Sequence, residues 1–230
     1  MGNQVFSSYQ SLIANYQLPI THHKGPNMET TTPTDLVNRA KAIVAREALA
    51  VQRLADQLNT ELADVVTLLL HCQGHILVTG AGTSHAIAQR LAHLLSCSGA
   101  PALCIDAADA LHGGAGAVTS NDVVYIISKG GRSAEINHFA EIAKARGAKL
   151  IAQTEDPGSP LARLSDTVFV VKAEGDVDPY GMVATGSSLV NGAAGDVLCV
   201  LLLELRGYTK EAFGQTHPGG AVGVKLAANA

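Results

Sequence analysis

At 230 residues, 47% hydrophobic and with a net charge of −4, the chain is built like a globular domain with one sizeable core. It lacks the basic field that would draw in nucleic acid. Aromatic residues are few (Phe 4, Tyr 5, Trp 0), which argues against a base-stacking surface. Cys72, Cys97, Cys104 and Cys199 never occur as C-x-x-C, so they are expected to be buried thiols of a reducing compartment, with neither a zinc site nor a disulfide framework.

Residues 1–33 show no sustained periodicity and read as a flexible leader. From Asp35 a helical pattern begins, with Leu36, Ala40, Ile43, Val44, Val51, Leu54 and Leu58 at three- and four-residue steps and Thr34 as its N-cap. A second helix is expected over Glu61 to His71, so residues 34–74 form an N-terminal helical hairpin, an arm that packs on the core or on a partner subunit. After Gly74 short apolar runs alternate with amphipathic stretches: "HILVTG", "PALCID", "DVVYIIS", "AKLIAQT" and "DTVFVV". Continuous apolar strands separated by helices mark a parallel sheet covered on both faces. The expected fold of residues 75–230 is an α/β three-layer, doubly wound, five-stranded parallel sheet of flavodoxin-like type, closed by a long helix from about Ser187 to Arg206. Within that helix the run "VLCVLLLEL" is far shorter than the ~20 residues of a membrane span. No basic segment precedes an apolar stretch at the N-terminus, so a cytoplasmic protein with no membrane partner is expected.

In such a sheet ligands bind outside the carboxyl ends of the strands. "TGAGTSHA" (79–86) follows the first strand and opens a helix. Gly82 lets the backbone approach an anion, and Thr83 and Ser84 add hydroxyls at a helix N-terminus. "SKGGRSAE" (128–135) repeats the recipe after the third strand with Ser128, Gly131 and Ser133, and adds the cations Lys129 and Arg132. Two loops of this kind at one sheet edge imply a phosphate-bearing ligand. "DALHGGAG" offers His112 after the second strand, and "VKAEGDVDPYGMVATGSSL" (171–189) offers Glu174, with Asp176 and Asp178 read as solvated. His71, His75, His93 and His138 fall within or beside helices and strands and read as packing or surface residues. Near the end of the sequence, "GQTHPGGAVG" (214–223) sets His217 before Pro218 and two glycines, in what reads as a fixed turn.

"ILVTGAGTS", "ALHGGAG", "VVYIISKGGRSAE" and "GQTHPGGAVGVKL" resemble, in order and spacing, the sugar isomerase (SIS) domain family over roughly residues 35 to 226. Within that family they are most similar to the arabinose-5-phosphate isomerases. The resemblance implies the flavodoxin-like sandwich and a phosphosugar ligand gripped by Ser84, Ser128 and Ser133. It makes Glu174 and His217 the catalytic pair, and sets His112 on the histidine of the family's A-S-H-G motif. The sequence ends at Ala230, so the paired CBS domains of many longer relatives are expected to be absent. Thr83, His85 and Arg132 stand where the family pattern has lysine, glycine and an acidic residue. A preference for a different phosphosugar would show there.

The chemistry that the resemblance implies is aldose–ketose isomerisation through an enediol(ate), most simply between D-arabinose 5-phosphate and D-ribulose 5-phosphate. It needs a base for the carbon-bound proton, a group that opens the sugar ring or shuttles a proton between oxygens, and a hold on the phosphate. Glu174 is expected to be the base and His217 the shuttle, although the sequence also allows the roles exchanged. No cofactor or metal is called for. The same fold also serves as a phosphosugar sensor, which needs the phosphate loops but not Glu174 and His217. Residues 1–74 carry five Lys/Arg against six Asp/Glu, so no DNA-binding face is expected there. Family habit favours a homo-oligomer, a tetramer in particular.

Overall fold

The computed structural model describes residues 31–173, 178, 180–220 and 223–224. Most of the expected leader, Glu174, Asp176 and part of the segment after Gly220 lie outside the described residues. The chain divides into two compact units: residues 1–56 with 173–190, and residues 57–172 with 191–230.

The first unit contains helix α1 (Pro33–Gln52). Its start differs from the sequence expectation. Thr32, not Thr34, is the N-cap, because Pro33 takes the first helical position, where its missing N–H is no loss. Thr32 Oγ1 accepts from the Asp35 N–H at 3.2 Å, and the Asp35 carboxylate accepts from the Thr32 N–H at 3.1 Å. The result is a capping box with aspartate in the glutamate position. In the same unit Asp178 is not the merely solvated acid that its surroundings suggest. Its two oxygens accept from the N–H groups of Tyr180, Met182 and Val183, each at 2.9 Å. Desolvation opposes its ionisation, but the N–H groups outweigh it and hold the carboxyl below the usual range.

The second unit holds the sheet. A 3₁₀ turn (Ala55–Gln57) leads to α2 (Glu61–Leu70), which lies along the edge strand β5 with Val65 and Leu69 wholly buried. The five predicted strands are all present: β1 (Ile76–Gly80), β2 (Ala102–Cys104), β3 (Val123–Ile127), β4 (Lys149–Thr154) and β5 (Thr167–Val170). All pair in parallel, in the order β2-β1-β3-β4-β5. This flavodoxin-like order reverses direction between β1 and β3. The helices between them are α3 (Thr83–Cys97), the short α4 (Ala107–Ala110), α5 (Ala134–Ala145) and α6 (Pro160–Leu164). They are followed by the long α7 (Gly186–Leu205) and by α8 (Lys210–Thr216).

Side chains alternate across the sheet. Leu77, Val124, Ile126, Leu150 and Ala152 face α5 and form one core with Ile136, Phe139, Ala140 and Ala143. The opposite face carries Tyr125, Ile151 and Gln153. There α3 and α7 are tied together by a two-point ion pair from Arg90 to Asp196, at 2.6 and 3.0 Å. At the amino end of the sheet the buried Asp122 binds the N–H of His75 at 2.8 Å. It also binds the N–H and hydroxyl of Thr119 at 2.7 and 2.9 Å, so one carboxylate ties the starts of β1 and β3.

The apolar run at 197–205 lies within the expected long helix, and by length and composition alone α7 as a whole could cross a membrane. Its Ala194, Leu198 and Leu202 are wholly buried and its Asp196 is paired, as in a core helix. Of the four thiols expected to be buried, only Cys199 is. Cys72, Cys97 and Cys104 are partly exposed, and all four are free.

Candidate active site

Gly80, the last residue of β1, pairs with Ile127, the last of β3. The two glycine- and serine-rich loops therefore leave neighbouring strands at the same level, about 5 Å apart. Their helices then pass to opposite faces of the sheet, the arrangement at which doubly wound sheets bind their ligands.

The first loop turns sharply because Gly82 adopts φ 57° and ψ −127°, a conformation that essentially only glycine tolerates. A Cβ on Gly80 would lie 2.7 Å from the backbone of Ser84, so the strand end can approach the helix start this closely only with glycine there. Thr83 is exposed and Ser84 half-buried at the first turn of α3. His85 faces the end of β2, with its Nδ1 3.7 Å from Asp106 Oδ2 and without a hydrogen-bond partner among the described residues. Asp106 itself caps α4 through the N–H groups of Ala108 and Asp109.

The second loop is folded back on itself by a bond from the Gly131 N–H to the Ser128 carbonyl, 3.1 Å long. Gly131 has φ 60°, and a Cβ there would collide with the Ser159 hydroxyl. The loop is clamped from β4. The Lys129 carbonyl accepts from the Glu155 N–H and from the Thr154 hydroxyl, both at 2.9 Å. Ser128 is buried. Ser133 is the N-cap of α5, yet its hydroxyl makes no capping bond. Both cations have carboxylate neighbours: Arg132 pairs with Asp156 at 2.8 Å, and Lys129 Nζ lies 3.9 Å from Glu155. The Gly158 N–H, and after it the Arg132 guanidinium, hold the exposed Asp156 carboxyl below its ordinary range.

The remaining candidates are placed differently. His112 is exposed in the turn after α4. His217 is the C-cap of α8 and contacts Cys97, the last residue of α3. Ser84 opens that same 15-residue helix, so about 20 Å of helix separates the His217 contact from the first loop. Within one chain the serine loops come together and His217 does not join them.

Three features have no counterpart in the sequence pattern. The Thr79 hydroxyl, wholly buried one residue before the end of β1, has no hydrogen-bond partner among the described residues. Tyr125, Gln153 and Asn191 form a hydrogen-bonded chain inside the core. Cys97 meets His217 across 120 residues of sequence. Among the described residues no three His, Cys, Asp or Glu side chains are grouped to hold a metal ion.

Comparison with known proteins agrees with this architecture. The SIS domain model matches residues 69–201. An arabinose 5-phosphate isomerase of Pseudomonas aeruginosa is 33% identical over 199 residues, covering 86% of this chain and 61% of the relative. This chain thus spans about three fifths of the length of the curated relatives it matches. Among solved structures, a Listeria monocytogenes protein described as a sugar-phosphate isomerase superposes with a TM-score of 0.80 at 33% identity, over 82% of this chain and 100% of that one. An Escherichia coli CFT073 protein in complex with arabinose 5-phosphate gives 0.79 at 32% identity, with the same coverage. The family model covers more than half of the sequence and its expected fold is the one observed: the chain belongs to the SIS domain family.

Proposed function

We propose that the protein is a phosphosugar aldose–ketose isomerase acting through an enediol(ate), with D-arabinose 5-phosphate and D-ribulose 5-phosphate as the first substrates to try. The observation that carries this reading is the pairing of Gly80 with Ile127, which brings two glycine- and hydroxyl-rich loops together at one end of neighbouring strands. The name of the Pseudomonas aeruginosa relative supports the substrate class, as does the arabinose 5-phosphate complex of the Escherichia coli protein.

In this proposal Ser84, Ser128 and Ser133 hold the phosphate, Gly82 and Gly131 let the backbone approach it, and Thr83 contributes a hydroxyl. Lys129 and Arg132 supply positive charge at its rim. Glu174 removes the carbon-bound proton, and His217 opens the ring or carries a proton between oxygens, with His112 at the mouth. His217 comes from a second copy of the chain, since the length of α3 keeps it from the loops of its own. A homotetramer of the family kind satisfies that need. The protein works in the cytoplasm and has no nucleic-acid or membrane partner.

The test is incubation with a panel of phosphosugars in deuterated water, followed by NMR for exchange at carbons 1 and 2. Exchange with a pentose phosphate, abolished in Glu174→Gln while binding persists, supports the proposal. Tight binding without exchange of any substrate favours a phosphosugar sensor instead. Exchange with another phosphosugar alone assigns a different substrate, with Thr83, His85 and Arg132 as the residues to exchange.

A further inference from the structure

The environment of His217 fixes more than its position. Its ring stacks on Phe213, with centroids 3.8 Å apart and planes 5° from parallel. Nδ1 lies 3.1 Å from the Phe213 carbonyl oxygen and 3.0 Å from Thr216 Oγ1. A carbonyl can only accept, and the Thr216 hydroxyl already donates to that same carbonyl at 3.0 Å. The proton of a neutral ring therefore sits on Nδ1, and Nε2 is the acceptor. The atom facing Nε2 is Cys97 Sγ, at 3.3 Å, whose S–H is a donor. The sulfur in turn lies 3.7 Å from His93 Nε2, close enough to accept a weak bond from it. These groups form one directed chain in which every donor has an acceptor: His93 to Cys97, Cys97 to His217, and His217 to the Phe213 carbonyl.

We infer that Cys97 is a positioning residue for His217: its thiol, by donating to Nε2 at the end of α3, holds the imidazole in the Nδ1–H tautomer. A free histidine side chain favours the other tautomer, so the arrangement is a selected one. The role in turnover rests on the proposal that His217 handles substrate protons. The tautomer does not depend on that proposal.

The experiment uses the full chain, labelled with ¹⁵N. Long-range ¹H–¹⁵N spectra of the histidine rings are recorded for the wild type, Cys97→Ser and Cys97→Ala, with His217→Gln to assign the resonance. The inference requires His217 to carry its proton on Nδ1 in the wild type. It also requires the Nε2 resonance to move in Cys97→Ala and to stay near its wild-type position in Cys97→Ser, which keeps a donor. In deuterium exchange with D-arabinose 5-phosphate, Cys97→Ala should lose about tenfold in kcat at unchanged KM. That is less than the roughly 10²–10⁴-fold loss from removing an acid–base group itself. Cys97→Ser should recover most of the rate. A wild-type ring protonated on Nε2 overturns the inference, and so does a serine variant as impaired as the alanine variant. Should the wild type exchange no deuterium, the isomerase reading fails while the ring spectra still decide the role of Cys97.

Discussion

The Gln153 side chain, sealed in the core on β4, donates to Asn191 Oδ1 at 2.7 Å and accepts from the Tyr125 hydroxyl at 2.5 Å. Each end of this amide satisfies a buried polar group. Gln153→Leu should therefore cost about 3 kcal/mol, because it strands the Tyr125 hydroxyl and removes a partner of Asn191. Tyr125→Phe should cost about 1 kcal/mol, since it leaves one acceptor underused. Urea unfolding followed by circular dichroism measures both, and equal losses would contradict the assignment.

Acid stability should depend on Asp122. Burial opposes its ionisation, but the N–H groups of His75 and Thr119 and the Thr119 hydroxyl prevail and hold the carboxyl below its ordinary range. A depressed folded-state value means that the unfolded chain binds the proton more readily. The contribution is complete near neutrality and is lost as the pH falls below about 4 and through the folded-state value. Asp122→Asn should be less stable at pH 7 and show a shallower loss of stability between about pH 5 and pH 3. A parallel pH profile for the two proteins would remove Asp122 from this role.

Two adjacent glycines give a matched test of the second loop. Gly131 combines φ 60° with a Cβ position already filled by the Ser159 side chain, whereas a Cβ on Gly130 meets open space. Gly131→Ala should lose about 2 kcal/mol or more of stability and most phosphosugar affinity. Gly130→Ala should stay within about 0.5 kcal/mol of the wild type. Calorimetric titration with D-arabinose 5-phosphate and thermal unfolding separate the two effects.

Thiol chemistry should follow exposure. Burial, assisted by Asp196, pushes the Cys199 thiol up to about 12, and burial raises Cys104 as well. Iodoacetamide at about pH 8, near the ordinary thiol range, followed by peptide mass spectrometry should leave Cys199 unmodified in the folded protein. Its rapid labelling would mean that α7 opens far more readily than its packing implies.

The sheet is legible in the sequence because parallel strands buried on both faces stand out as unbroken apolar runs, and each of the five runs is a strand. The start of α1 is harder to read, because Thr32 and Thr34 both suit a cap, and the place of Pro33 and the pairing of Thr32 with Asp35 separate them. The serine loops are legible from local composition. What joins distant segments is not: neither the thiol beside His217 nor the amide chain from Tyr125 to Asn191 leaves any trace in local periodicity. His217 reads from the sequence as part of a turn, and it does end α8. The seven residues KEAFGQT are too short and too polar to announce that helix.

The length of α3 has a genetic consequence. If serine loops and histidine meet only between molecules, a chain disabled at Ser84 still offers a sound His217, and a chain disabled at His217 still offers sound loops. Co-expressing the two crippled chains would rebuild working pockets at their mixed boundaries, so two null alleles would complement one another. A cell carrying either allele alone would have none.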